Sequence, residues 1–249
     1  MNTNLTTGTV SFLFTDIEGS TKLAQDHPDA MPSLLARHNE ILNESIEAHH
    51  GFTFRIVGDS FSAAFHTASD ALHAALDAQR KLQDESWSPA PIKVRMGINT
   101  GTAQWKDDPQ GHGAFYEGYA TLALTQRVMS VGHGGQILLS QSTVDLAKSK
   151  LDNTTELRDM GERRLKDIAK PEHLYQLVAA DLLSDFPPLT TLERSNHNLP
   201  LQLTSFIGRE RELTEAKKLL ASTRLLTFIG PGGNRQIKAL SSSRCRAII

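Results

Sequence analysis

The sequence predicts an α+β fold in which helices pack on a mixed β-sheet. Apolar and smaller residues alternate along Val10–Phe14, which is typical of a strand. Apolar residues from Met31 to Ile46 recur instead at helical spacing. Gly58-Asp59 separates two short apolar runs, which indicates a hairpin. Interleaved strands and helices together with a hairpin are typical of a layered α+β domain.

The first half of the chain begins with a strand that ends at Asp16. Small polar residues, Gly19–Thr21, then form a turn that opens a helix. The amphipathic helix from Met31 ends at Gly51, since glycine is common just after the last helical turn. The hairpin is predicted over residues 52–66.

The second half continues the alternation of helices and strands. Thr67 and Asp70 resemble a helix N-terminus, and the alanines beyond them allow close packing on a sheet. Ser140 is predicted to cap a short helix that ends near Lys148. The other predicted elements are strands at 92–100 and 136–139, a flexible turn at 107–113, a helix at 119–131, and strands at 155–160 and 173–178.

Composition excludes some classes of protein. The 249 residues have a formal net charge of −2, which favours no particular partner. No apolar run is long enough for a membrane span, and the N-terminus lacks a signal-peptide pattern, so no membrane partner is expected. Cys245 is the only cysteine, so no internal disulfide can form. These features fit a cytoplasmic location.

Two carboxylates stand where strands are predicted to end. Asp16 closes the first strand and Asp59 sits at the hairpin tip, so the two are neighbours if their strands pair. Two such carboxylates can hold two divalent ions about 4 Å apart, which clamp the reacting oxygens of a phosphoryl or nucleotidyl transfer. The alternative for Asp16 is a structural role as a helix N-cap.

The sequence around both carboxylates resembles the metal-binding motifs of class III adenylate/guanylate cyclases. Three further segments resemble that family in the same order, so the similarity covers about residues 8 to 179. The five segments are Phe14-Thr-Asp-Ile-Glu-Gly-Ser-Thr21, Gly58-Asp-Ser-Phe61, Val94-Arg-Met-Gly-Ile-Asn-Thr-Gly101, Gln126–Ile137, and Leu157–Tyr175. The resemblance implies the class III nucleotide cyclase fold, built on a ferredoxin-like βαββαβ core.

The resemblance also implies an activity and a set of site residues. The reaction converts a nucleoside triphosphate, by default ATP, to its 3′,5′-cyclic monophosphate and pyrophosphate, in intracellular signalling. Asp16, Ile17 and Asp59 would hold two Mg²⁺ or Mn²⁺ ions, and Arg127 would stabilise the transition state. The substrate-binding residues implied are Glu18, Gly19, Ser20, Thr21, Arg55, Tyr116, Glu117 and Lys166. Without the motif, Arg127 would be interpreted as a surface ion pair, and Lys166 equally as a solvated lysine.

In this family the active site lies between two chains, with metal residues from one and the arginine from the other. The resemblance therefore implies a homodimer with two equivalent sites.

Three positions depart from the family pattern. Ala123 replaces the asparagine that orients the ribose, and Thr121 or Thr125 could substitute for it. Arg55 replaces the base-selecting lysine, and its planar fork presents donors differently. The aspartate that works with that lysine falls at Tyr116 or Glu117. The alternative function is thus a catalytically weak regulatory domain that binds nucleotide or only dimerises.

The C-terminal part of the chain is predicted to differ from the rest. We divide the chain into a cyclase domain at 1–182, a linker at 183–200 and a fragment at 201–249 that resembles the start of an AAA-like signal-transduction NTPase. The phosphate-binding loop from Gly230 lacks its lysine, because Arg235 and Gln236 stand where Gly-Lys belongs. Asn234 to Lys238 could encode Thr-Gly-Lys-Ser one base later, so a frameshift near Asn234 is our explanation.

Basic residues dominate this fragment, with nine Lys and Arg against three Glu over residues 200–249. Nucleic-acid binding by it is not expected, because it has neither aromatic interleaving nor a recognised motif.

Overall fold

The computed structural model describes residues 7–107, 114–148, 151 and 154–191. Most of the turn predicted at 107–113, the end of the predicted linker, the NTPase-like fragment and the proposed frameshift site lie outside this part of the chain. The domain boundaries therefore stay predictions.

The described residues form eight strands and five helices. The strands are β1 (Gly8–Ile17), β2 (Phe52–Val57), β3 (Ser60–Phe65), β4 (Val94–Asp107), β5 (Ala114–Glu117), β6 (Ile137–Ser140), β7 (Thr155–Arg163) and β8 (Glu172–Ala179). The helices are α1 (Ser20–Asp26), α2 (Met31–Ala48), α3 (Ala68–Asp84), α4 (Tyr119–Ser130) and α5 (Gln141–Ala147). None of these helices is both long and apolar enough to cross a membrane.

The sheet has the strand order β2-β3-β1-β4-β6-β8-β7, with β5 paired to β4 as a side hairpin. Only the β4–β6 pair is parallel, and the other pairs are antiparallel. The elements from β1 to β4 have the order βαββαβ, with α1 and α2 in the first crossover. The mixed sheet with its packed helices confirms the predicted α+β class.

Strand β1 is buried on both faces, which is why it carries so many apolar residues. Leu13 and Ile17 join the larger core between the sheet and helices α2, α3 and α5. Phe12 and Phe14 lie on the opposite face in a second core that includes Met129 of α4. The buried residues 10–15 of β1 are therefore held from one side or the other, and the strand is a rigid base for the loop beyond Ile17.

Helix α4 approaches the sheet closely because β4 has a glycine beneath it. A Cβ atom on Gly97 would lie 2.4 Å from the main-chain nitrogen of Met129. No real side chain tolerates that distance, so Gly97 sets the depth at which α4 packs. Two residues before Met129, the same helix carries Arg127.

The observed elements differ most from the predicted ones at β4 and β5. Strand β4 runs to Asp107, beyond the predicted end at residue 100, and β5 was not predicted. The two strands form a hairpin in which Trp105 pairs with Tyr116. Ala103 and Trp105 alternate with exposed residues on β4 and pack in the second core, so the strand pattern continues past Gly101.

Residues 180–191 return to the domain instead of leaving it. Leu189 is 4% exposed and packs in a third core with Val128 and Val131. Thr190 donates two hydrogen bonds to the carbonyl of Val131, from its main-chain nitrogen at 3.0 Å and its hydroxyl at 3.1 Å. We call residues 180–191 the return segment; it packs at the end of α4.

Candidate active site

Asp16 and Asp59 lie at one corner of the sheet. Strands β1 and β3 pair with Thr15 opposite Phe61, so the hairpin tip lies beside the end of β1. The Oδ2 atom of Asp59 accepts a hydrogen bond of 3.0 Å from the main-chain N–H of Ile17. Ser60 donates a hydrogen bond of 2.8 Å to Oδ1 of Asp16. The alternative role of Asp16 as a helix N-cap is wrong, because Gly19 occupies that position and no side chain caps α1.

Arg95 is the cation at this corner. It lies opposite Asp16 in the β1–β4 register. Its Nε donates to Oδ2 of Asp16 at 3.0 Å, and its Nη2 donates to the same oxygen. The Asp16 side chain is 18% exposed, so this ion pair is partly shielded from water. Sequence reasoning missed Arg95, although a charged residue between buried Val94 and Met96 is a usable signal.

The loop after β1 presents mostly main-chain groups. Gly19 has φ 72° and ψ 23°, a left-handed conformation that glycine adopts without strain. Glu18 is anchored through its main chain, whose N–H donates to the carbonyl of Lys93 at 2.9 Å. The Glu18 carboxylate lies 3.7 Å from Nδ1 of His133. Ser20 and Thr21 open helix α1 directly beyond the glycine.

At a second place in the chain, Arg127 contacts the turn that carries Lys166. Arg127 lies in the last turn of α4, and its Nη2 donates to Oδ2 of Asp167 at 2.6 Å. Lys166 is the neighbour of Asp167 and is exposed. In the described part of one chain, no hydrogen bond or ion pair joins Arg127 or Lys166 to Asp16 or Asp59.

Tyr116 and Glu117 have opposite environments on β5. Tyr116 is 5% exposed, and its ring centroid lies 5.0 Å from those of Phe12 and Phe54 in an aromatic cluster. Glu117 is exposed and forms an ion pair with Lys106 across the β4–β5 hairpin. Of the two candidates for the family's aspartate, only Glu117 offers a carboxylate at the surface.

Arg55 lies on exposed strand β2, next to a bulge in its pairing with β3. No hydrogen bond or ion pair to it occurs among the described residues. Its guanidinium is therefore available for a ligand at the β2 edge of the sheet.

The two threonines around Ala123 already have partners. Thr121 donates its hydroxyl hydrogen to the carbonyl of Thr102 at 2.9 Å. Thr125 donates to the carbonyl of Thr121 at 2.8 Å. Neither hydroxyl is free to donate as the missing asparagine amide would, unless one of these bonds breaks.

The donor set at the carboxylate corner fits hard divalent cations. Asp16 and Asp59 carry carboxylate oxygens and Ile17 carries a main-chain carbonyl, and oxygens of both kinds are ligands that Mg²⁺ and Mn²⁺ prefer. Within the described residues, no group of three or more His, Cys, Asp or Glu side chains could hold a metal. An ion at this corner would therefore depend on two carboxylates, with further ligands from substrate or water.

A chain with this sheet and this carboxylate corner has the catalytic-domain fold of the nucleotide cyclases. The family model for the adenylate and guanylate cyclase catalytic domain matches residues 3–179, and the chain belongs to this family.

Individual relatives agree with that assignment. An uncharacterised protein of Mycobacterium tuberculosis is 39% identical over 211 residues, covering 84% of this chain and 70% of that protein. A receptor-type adenylate cyclase of Trypanosoma equiperdum is 27% identical over 77% of this chain, and the match spans 51% of that protein. The solved structure of an adenylate cyclase from Trypanosoma brucei in its monomeric state superimposes with a TM-score of 0.66 at 25% identity, over 76% of this chain and 95% of that one.

Proposed function

We propose that the protein is a nucleotide cyclase that converts a nucleoside triphosphate, by default ATP, to the 3′,5′-cyclic monophosphate and pyrophosphate. One observation carries the proposal. Asp16 and Asp59 come together at the end of a rigid buried strand, with Asp59 hydrogen-bonded to the main chain directly after Asp16. The adenylate cyclases among its relatives support ATP as the substrate.

The proposed reaction is intramolecular. The 3′-oxygen bonds to the α-phosphorus, the bond from that phosphorus to the bridging oxygen breaks, and pyrophosphate leaves. The hydroxyl proton passes to water. Charge builds on the phosphate oxygens, so positioned cations and N–H donors give most of the acceleration.

At the carboxylate corner, Asp16, Asp59 and the carbonyl of Ile17 would hold two divalent ions, Mg²⁺ or Mn²⁺. Such ions, when bound, neutralise triphosphate charge and make the 3′-hydroxyl more acidic. The main chain and hydroxyls of residues 18–21 would orient the phosphates. Arg95, already at Asp16, adds a fixed positive charge beside them.

The remaining groups would act from other parts of the chain. The Arg127 guanidinium would face the α-phosphate and stabilise its developing charge, while Lys166 would bind the terminal phosphates. Arg55 and Glu117 would contact the base. Tyr116 would support this subsite from the core, because its ring packs on Phe54, the neighbour of Arg55.

A homodimer would bring these groups together. Arg127 and the carboxylate corner share no hydrogen bond or ion pair within the described part of one chain. We therefore expect the Arg127 that acts at this corner to come from a second copy of the chain. Apolar side chains exposed on β2, β5 and the start of α4 offer a surface for it: Val57, Phe115 and Tyr119.

The test is turnover of ATP, GTP, CTP and UTP by the full chain with Mn²⁺, using Asp59→Ala as the blank. We expect cyclic product from one triphosphate and at least a hundredfold loss in the blank, roughly the effect of removing a key charge-stabilising group. The matched control is Asp84→Ala, which removes an exposed carboxylate at the end of α3 and should leave the rate unchanged. No cyclic product from any triphosphate, with the dimer intact, would favour the regulatory domain instead.

A further inference from the structure

Arg127 is a long side chain whose direction depends on a single contact. Its neighbours Val128 and Met129 are buried, so the main chain of α4 is fixed at this point. The side chain itself is 31% exposed, and an arginine has many rotamers. Its direction is set by the contact between Nη2 and Oδ2 of Asp167 at 2.6 Å.

Asp167 lies in an anchored turn with its own side chain 63% exposed. Its φ is 61°, in the left-handed region that non-glycine residues seldom adopt, although aspartate and asparagine tolerate it best. The turn is anchored by Leu165, which is 1% exposed, and by Ile168, which packs on the same core. The main chain of the turn is thus anchored on both sides of Asp167, and a short side chain on it has few ways to point.

The contact leaves most of the guanidinium available. A guanidinium has five N–H donors in a planar fork, and within the described residues only Nη2 is bonded to Asp167. Lys166, next to Asp167, has no ion-pair partner among the same residues. The turn therefore carries one cation, Lys166, and orients another, Arg127.

We propose that Asp167 is a positioning residue that holds Arg127 in the orientation it uses against the α-phosphate. This inference rests on the proposed function. The competing idea is that Asp167 is a brake, occupying Arg127 until substrate displaces it. The single Nη2 contact favours positioning, because the other edge of the fork can meet a phosphate while the pair persists.

The test compares Asp167→Asn and Asp167→Gly in the full chain. Asparagine tolerates the left-handed conformation and still accepts the hydrogen bond, whereas glycine fits the conformation best but has no acceptor. We expect kcat to fall about tenfold in the glycine variant and about threefold in the asparagine variant, with KM changed less than about twofold. In an Arg127→Ala background the glycine change should have no further effect.

The matched control is Asp185→Asn, which weakens a similar exposed pair with Arg158 and should leave kcat unchanged. Parental kcat in Asp167→Gly would overturn the inference and leave Asp167 as a turn residue only. A gain in kcat, or a fall in KM, in both variants would overturn it in favour of the brake.

A second measurement does not depend on turnover. Nitrogen-15 NMR should show slowed rotation of the Arg127 guanidinium in the parent and in Asp167→Asn, and lose that signal in Asp167→Gly. If the parent shows no slowed rotation, Arg127 and Asp167 do not pair in solution and the inference is overturned. If the signal is present but no triphosphate is turned over, the proposed function is wrong. The ion pair between Asp167 and Arg127 then exists, but the catalytic role inferred for it is wrong too.

Discussion

His38 is a buried titratable residue close to the carboxylate corner. Its side chain is fully buried in α2, and its ring lies edge-on to Phe61 with centroids 5.7 Å apart. Burial lowers the pKa of His38, while its hydrogen bond to Asn39 and the charges of Asp59 and Asp16 oppose that shift. Because the folded-state pKa is below the unfolded value of about 6.5, the neutral ring stabilises the fold fully above that pH. This contribution is lost as the pH falls toward the folded pKa.

We therefore predict that His38→Leu flattens the acid side of the stability profile. Between pH 7.5 and 5.5, the Tm of the parent should fall further than the Tm of His38→Leu. The difference should be roughly 2–4 °C for each kcal/mol of unfolding free energy that protonation of His38 removes. The measurement is thermal unfolding across that pH range. His66→Gln, a change at an exposed histidine, should keep the parental slope. Equal slopes for the parent and His38→Leu would contradict the prediction.

Arg95 supplies a second prediction at this scale. Its removal leaves Asp16 and Asp59 close together without their cation, so the corner should attract divalent ions more strongly. We predict that Arg95→Gln binds Mn²⁺ about five- to tenfold more tightly than the parent, equivalent to losing roughly 1 kcal/mol of competition. Calorimetric titration without nucleotide measures this directly.

The control for that titration is Arg37→Gln, which removes an exposed arginine paired with Glu40 and should bind Mn²⁺ as the parent does. Weaker Mn²⁺ binding in Arg95→Gln would show instead that Arg95 helps to form the ion site.

The difference between Asp16 and Arg95 shows what sequence reasoning could reach. Asp16 and Asp59 stand in recognisable motifs at predicted strand ends, so their proximity could be predicted once the strands were paired. The contact of Arg95 with Asp16 joins residues 79 positions apart and depends on the register of β1 and β4. A single sequence does not encode register in readable form.

At the scale of elements, the return segment behaves as part of the catalytic domain. Besides Leu189 and Thr190, the carbonyl of Ser184 accepts hydrogen bonds of 2.7 Å from Arg158 and Gln176. Its composition, rich in proline and polar residues, predicted a linker from residue 183. Composition reflects local preferences, but here one buried leucine and a few main-chain bonds decide the path of the chain.

We predict that Leu189→Ala costs about 2–5 kcal/mol of unfolding free energy, the usual range for removing a buried leucine side chain. Leu183→Ala is the matched control, because Leu183 in the same segment is 57% exposed. Urea unfolding of both variants gives the comparison, and the control should stay within about 0.5 kcal/mol of the parent. Equal stability of the two variants would mean that the segment is not packed in solution.

At the scale of the whole molecule, the pattern of helices and strands could be predicted, but not the order of the sheet. Helices α2 and α3 were predicted from their apolar spacing, and the β2–β3 hairpin from Gly58-Asp59. The strand order came only from the resemblance to cyclases. The parallel β4–β6 pair joins strands separated by a hairpin and a helix, which no local pattern specifies.

The carboxylate corner and Arg127 share no direct contact within the described part of one chain, and this leads to the last prediction. If the carboxylate corner of one subunit works with Arg127 of the other, Asp59→Ala and Arg127→Ala each inactivate both sites of a homodimer. In a mixed dimer, one site carries both changes and the other carries neither. If the two variants are mixed in equal amounts and their subunits exchange freely, half of the dimers are mixed and each of these has one intact site. The mixture should therefore recover about a quarter of the parental activity.

The experiment co-expresses the two variants with different affinity tags and isolates the doubly tagged dimer, which should then show about half of the parental rate. The control is the double variant Asp59→Ala/Arg127→Ala co-expressed with Asp59→Ala, whose mixed dimers contain no intact site and should stay inactive. A doubly tagged dimer of parental mass without recovered activity would contradict a shared site. It would then require Arg127 to reach the carboxylates of its own chain by a movement of α4, which the tight packing over Gly97 opposes.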